Sequence, residues 1–280
     1  MTFRPLLVAL FCLSSTLAAA QTAQVDRPRP GIAIQLRFDP GVPIEQPDAF
    51  TLLRTELYGQ YHHGGSGFGA YASIPILSAI PKKAASTTTI GNVEVGGFKT
   101  FSFGVASLTL RFGVALPTYR PSTVEQLFTT IGGGFGRLTD VVQVAPYTTA
   151  VRLAVSPRIQ IPYFFAQIDV GFDVTITESA TISLGSRKLD LKGSVGGYFR
   201  ANLALGARVS IVSLALELVN IANIRSDLDA TIAERFLHSL GGTLAVHAPY
   251  VHPFFGVYTP LDEGLRGNVI FLSAGIEGVL

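Results

Sequence analysis

Charge is what this chain has least of. Lys, Arg, Asp and Glu make up 14% of its 280 residues while apolar residues make up 48%, against an ordinary charged share of about 25%. So little charge cannot cover the surface of a water-soluble domain, and the mean hydropathy of +0.41 points the same way. Tryptophan is absent and cysteine occurs once, as Cys12. A single thiol excludes an intrachain disulfide and a thiolate metal cluster as the source of stability. Long apolar runs are lacking too. The charge-free windows 57–81 and 236–261 are broken by Gly, His and Pro, so neither offers the roughly 18 consecutive apolar residues of a membrane helix. The most apolar remaining stretch, 209–222, is shorter and contains Glu217. A formal net charge of +2 gives no ground for nucleic acid or an acidic partner.

The start of the chain reads differently. Arg4 precedes an apolar run over 6–13, followed by Ala18, Ala19 and Ala20; this is the pattern of a secretory signal peptide, residues 1–20, cleaved after Ala20. Cys12 follows Phe11 inside the apolar region, without the small residue that precedes a lipoprotein cysteine. Lipidation is therefore rejected. A Pro-containing leader spans 21–30, and 31–280 reads as one domain with no linker.

What the chain has in quantity is alternation at period two. Over 105–116, Ala106, Leu108, Leu110, Phe112, Val114 and Leu116 share one face, while Ser107, Thr109, Arg111 and Gly113 share the other. The arm 91–101 reaches this one through only Ser102, Phe103 and Gly104, so the two are antiparallel neighbours. The same pattern recurs at 31–39, 50–61, 67–74, 162–174 and 195–205. An exported, apolar chain without membrane helices is left with a closed barrel, because only helices and closed barrels satisfy every backbone group in lipid. The fold expected is an all-β antiparallel transmembrane β-barrel, with short helices in extracellular loops. Its place is the outer membrane of a Gram-negative envelope, with a porin-like character; a secreted soluble sandwich shares the alternation and is the competing fold.

About fourteen strands are expected, with twelve as the alternative count: 31–39, 50–61, 67–75, 90–101, 105–116, 136–145, 148–158, 162–176, 180–191, 193–206, 209–221, 240–248, 251–258 and 267–280. Joins after even-numbered strands are short, whereas the long joins 76–89, 117–135 and 222–239 follow odd ones. Outer-membrane barrels show this asymmetry, with their short turns in the periplasm. Two odd joins, 159–161 and Lys192, break the rule by being short.

Two long loops carry helix signals. Ser122 and Glu125 form a capping box ahead of Val124, Leu127, Phe128 and Ile131, which fall on one helical face before Gly132. Ser226 and Asp229 repeat it ahead of Leu228, Ile232, Phe236 and Leu240. Either helix packs on the rim, or the first folds into the mouth as a gate built on Val124, Leu127, Phe128 and Ile131. The last strand alternates back from Leu280 through Gly278, Ile276, Ala274, Leu272 and Ile270, the form of signal that barrel-assembly machinery reads, here ending on leucine rather than an aromatic.

No constellation points to catalysis. His62, His63, His238, His247 and His252 lack metal spacing, and the pair His62-His63 reads as a solvated turn. The glycine clusters at 64–67 and 132–136 match neither the nucleotide fingerprint nor the Gly-x-Ser-x-Gly elbow. No cofactor or metal is expected, and the reading is not of an enzyme. The inward face is more informative. It gathers Arg37, Arg54, Arg111, Arg152, Arg158 and Arg200 with Glu56, Glu94, Asp169, Asp173, Glu217 and Glu277. Signs this nearly balanced suit mutual pairing across a narrow lumen rather than a selective ring of one sign.

Residues 90–98, Ile-Gly-Asn-Val-Glu-Val-Gly-Gly-Phe, together with 110–118, ending Ala115-Leu116-Pro117-Thr118, resemble the strand pair of outer-membrane transporters linked to the phenol-degradation meta-pathway. Those show a Gly-Asp start and a Leu-Pro-Thr-Gly end; Asn92 stands for the aspartate, and Tyr119 for the last glycine. The resemblance covers about a tenth of the chain. It implies a barrel that moves small hydrophobic or aromatic compounds, as fatty-acid transporters do. The functional expectation is thus a passive channel or transporter for small hydrophobic molecules, in contact with membrane lipids. A structural or surface-interaction barrel without transport predicts the same sequence, and an outer-membrane hydrolase stands behind both.

Overall fold

The computed structural model describes residues 31–43, 50–81, 86–123, 125–127, 129, 137–184, 187–224, 235–262, 266 and 269–280. Its strands are β1 (Gly31–Pro43), β2 (Phe50–His62), β3 (Phe68–Pro81), β4 (Thr87–Ile90), β5 (Glu94–Phe103), β6 (Ala106–Ala115), β7 (Thr148–Gln160), β8 (Phe164–Thr177), β9 (Ala180–Leu184), β10 (Arg187–Leu191), β11 (Ser194–Val209), β12 (Val212–Asn223), β13 (Phe236–Val246), β14 (Val251–Pro260) and β15 (Val269–Val279). Thirteen of them form one antiparallel sheet; β4 is a side branch on β3, and the remaining twelve close into a barrel through the pairings β1–β15 and β2–β3. The expected signal peptide and leader lie outside the described residues.

Two expected strands are not barrel strands. Residues 136–145 contain a buried 3-10 helix, Leu138–Gln143, and 180–191 folds into the separate hairpin β9–β10. Removing both restores the loop rule. The joins 63–67, 104–105, 161–163, 210–211 and 247–250 are all short and all lie at one rim. The join at 159–161 now belongs to that rim, and Lys192 belongs to the loop carrying β9 and β10. Of the two two-residue turns, the one at 104–105 places Gly104 at φ +64°, a conformation glycine adopts without strain.

Side chains alternate between two different environments. The outward positions are apolar and uncovered, as at Ile168 and Leu216, which keep 47% and 63% of their surface exposed. Only lipid makes such a face favourable. Inward positions are buried and carry polar, aromatic or small side chains, with a few aliphatic ones such as Leu77 and Val219. The inward rings lie flat along the wall over glycines of the neighbouring strand. A Cβ on Gly69 would meet the Phe98 ring at 2.2 Å, one on Gly206 the Phe165 ring at 2.2 Å, and one on Gly241 the Tyr258 ring at 1.9 Å. Such joints let a twelve-stranded wall carry large rings without filling its centre.

Candidate functional site

The centre is filled instead by the segment that joins β6 to β7. It leaves the wall at a clasp made by two short stretches. Thr118 Oγ1 donates to the Gly91 carbonyl at 2.6 Å and accepts the Val93 N–H at 2.9 Å. Asn92, fully buried, donates through Nδ2 to the carbonyls of Val142 (2.8 Å) and Ala145 (2.7 Å) and accepts the Tyr119 N–H at 2.9 Å. Its own N–H donates to the Gln143 carbonyl at 2.6 Å. Gly91 is required beside it, since a Cβ there would stand 2.5 Å from that carbonyl oxygen. The residues that carried the family resemblance, Gly91-Asn92 and Pro117-Thr118, therefore meet in space.

From the clasp, the 3-10 helix crosses the bore. It consists of two short 3-10 turns that meet in a kink at Asp140, whose φ of −122° is not helical, and it presents an apolar side and a polar side. Leu138 packs on Val219 and Ile221 of β12, while Val144 packs on Leu77 of β3 and on Tyr119. Strands β3 and β12 stand opposite each other in the circuit of twelve. The segment thus spans the lumen from wall to wall, and Val142 closes a third side against Ala115 and Ala150.

The polar side, Arg137, Asp140 and Gln143, is plugged into the charged wall. Asp140 meets Arg137 at 2.5 Å, Arg152 at 2.8 Å and Arg54 at 3.9 Å. Arg137 reaches Glu56 at 3.0 Å, which also takes Arg54 at 3.4 Å. Gln143 accepts from Arg54 at 2.5 Å and donates to Glu94 at 2.9 Å, and Glu94 also pairs with Arg152. Along the wall the chain of charges continues from Arg152 to Asp173 (3.4 Å), from Asp173 to Arg200 (2.9 Å) and from Arg200 to Asp169 (3.7 Å). Burial alone would raise the Asp140 carboxyl, but the guanidiniums of Arg137, Arg152 and Arg54 override it and hold the group far below the usual carboxylate range.

Of the residues assigned to the lumen by sequence, seven belong to this network: Arg54, Glu56, Glu94, Arg152, Asp169, Asp173 and Arg200. The others sit elsewhere on the inner wall. Arg37 pairs with Asp39 at 2.7 Å, Glu217 accepts from Thr243 and Tyr258, Glu277 lies 3.6 Å from His252, and Arg158 donates to Gln167. Arg111, half-buried, stands 5.0 Å over the Tyr71 ring. The expected gate fares differently. Leu127 is half-buried in a helical turn whose N–H meets the Thr123 carbonyl at 3.1 Å, while Val124, Phe128 and Ile131 lie outside the described residues. The segment seen in the bore is the next one along, 137–144. His62 also departs from expectation, being buried against Phe98 rather than solvated in its turn.

Sequence reading named Asn92 only within the resemblance, and it missed Arg137, Asp140 and Gln143. The signal of these three was a spacing of three, which alternation at period two does not detect.

No family model matches this chain, and no curated protein matches it. Solved structures do match in fold. An outer membrane channel from Pseudomonas putida F1 aligns with a TM-score of 0.61 and 10% identity, over 94% of this chain and 100% of that one. The translocator domain of the autotransporter NalP from Neisseria meningitidis gives 0.56 and 9%, over 98% and 94%. The β-domain of the Bordetella autotransporter BrkA gives 0.51 and 12%, over 89% and 99%. Together with the apolar outer belt and the polar, buried interior, this makes the chain a closed β-barrel of the bacterial outer membrane.

Proposed function

We propose that the protein is a passive channel for small hydrophobic or aromatic compounds, closed at rest by residues 137–144. The observation that carries this reading is the kind of contact that seals the bore. On its polar side the plug is joined to the wall by ion pairs and hydrogen bonds between soluble groups, while Leu138, Val142 and Val144 pack on apolar wall residues. Buried ion pairs add little net stability, because each half regains hydration when the two part. A contact of that kind suits a part that moves. On the short-turn side of the plug the wall carries Phe98, Phe165 and Phe254, faces that suit aromatic solutes better than hydrated ions.

A sealed structural barrel is the second reading, favoured by the burial of inward polar groups far from the plug, such as Gln167, Asn202 and Thr243. The hydrolase reading draws no support: Ser213 Oγ sits 2.8 Å from His247 Nε2, but the two residues are 1% and 4% exposed, which closes the hydroxyl to a substrate.

The test compares the refolded chain 21–280 with a variant in which 122–143 is replaced by a short Gly-Ser linker, in planar bilayers and in liposomes loaded for solute uptake. The channel reading expects a mostly silent parent with brief openings, and steady conductance with aromatic-solute uptake in the variant. A folded variant that neither conducts nor admits solute would overturn it in favour of the structural barrel.

A further inference from the structure

The outward face of the barrel carries a single described ionised residue. Every other described Lys, Arg, Asp and Glu on the twelve strands falls in the inward register, whereas Lys99 alternates with buried Phe98 and points to lipid beside Phe101. It pairs across the sheet with Phe68, the first residue of β3, so it stands level with the β2–β3 turn at the short-turn rim. That rim faces the periplasm in outer-membrane barrels.

The side chain is held in a built setting. Its ammonium lies 4.0 Å from the Phe68 ring centroid and 5.5 Å from that of Phe101, and it donates to the Ser66 carbonyl. An ammonium has three N–H groups, and rings attract it without accepting along them as an oxygen does. Phe68 and Phe103 are 61% and 64% exposed to the lipid side, so whatever takes the remaining donors approaches from the bilayer.

We propose that Lys99, with Phe68 and Phe101, seats the phosphate of an anionic glycerophospholipid in the periplasmic leaflet. The phosphate supplies the acceptors and the negative charge, and its acyl chains lie against the flanking rings. This site is independent of whether the bore conducts.

Native mass spectrometry of the refolded barrel, released from micelles holding equal amounts of phosphatidylglycerol and phosphatidylcholine, tests it. The parent should retain phosphatidylglycerol about fivefold over phosphatidylcholine, the scale expected of one lysine at an anionic surface. Lys99→Met should lose the preference and Lys99→Arg keep it. An undiminished preference in a folded Lys99→Met overturns the proposal. Should that variant not refold, the parent decides: no preference at low salt overturns the site, and a preference abolished by high salt supports it.

Discussion

The two ends of the lumen are built from different chemistry. Toward the long loops, a polar segment crosses the bore and is fastened by arginines and carboxylates. Toward the short turns, Phe98 lies on Gly69 and Phe165 on Gly206, and the wall is tied to itself. Water can replace those ion pairs group by group, because every charged partner is soluble alone; Leu138, Val142 and Val144 expose apolar surface when the segment leaves. Water cannot replace the second set of contacts, where removing a ring from its glycine exposes apolar surface and opens a void. One end is thus built to part and the other to stay, and mutations at the two ends should separate opening from folding.

The largest separation is expected at Asp140. Asp140→Asn takes from Arg137, Arg152 and Arg54 the carboxylate they share, leaving them Glu56, Glu94 and Asp173, and removing one partner from a buried ion pair costs about 3–5 kcal/mol. The plug should leave its seat, so single-channel recording should show a largely open barrel with an unchanged urea midpoint. A variant that stays closed would mean that apolar contacts such as Leu138 on Val219 hold the segment instead. The same carboxylate fixes a pH expectation. Its folded-state pKa is depressed, so its contribution is complete above the free value near 3.9 and is lost only as pH falls through a lower one. Acidification from about pH 7 to about pH 5 should therefore leave the parent closed.

Next in size is Asn92. Its side chain makes three hydrogen bonds to the segment and its root, each worth about 1 kcal/mol. Asn92→Ala should raise the open-to-closed ratio by roughly 100-fold, at about 1.4 kcal/mol per decade, again without loss of barrel. Asn92→Asp should recover part of the clasp, since one carboxylate oxygen still accepts from Tyr119.

A smaller effect, on the other quantity, belongs to the short-turn end. Gly206→Ala places a methyl 2.2 Å from Cε1 of Phe165 and 2.6 Å from the Leu214 carbonyl oxygen, so the ring and the strand beside it have to shift. Overpacking of this sort costs about 1–3 kcal/mol. The urea midpoint should fall while the closed-state current stays as in the parent. A rise in conductance instead would show that the two ends are coupled.

This contrast also marks what a sequence can disclose. The wall was legible because lipid imposes period two: Leu110, Phe112 and Val114 against Thr109, Arg111 and Gly113 can be read in one direction only. The plug was not. Arg137, Leu138, Thr139 and Val141 look like half a strand, and β-branched residues favour that reading. What makes them a 3-10 helix is the partner set, Glu56 and Arg54 some 80 to 90 residues away, and no local pattern contains those partners. The hairpin β9–β10 misled in the opposite way: it is a true pair of strands, alternating as strands do, that never joins the wall.

The smallest expected effect tests whether the rim shares in the closure. Arg120, near the root of the segment, meets Glu178 just beyond β8 at 3.0 Å, with side chains 54% and 48% exposed. Solvent-exposed pairs contribute about 0.5 kcal/mol or less after screening, so Arg120→Ala should change the open-to-closed ratio by no more than about threefold, and less at high salt. A tenfold rise would place part of the latch outside the bore, where the loops rather than the buried charges decide when it opens.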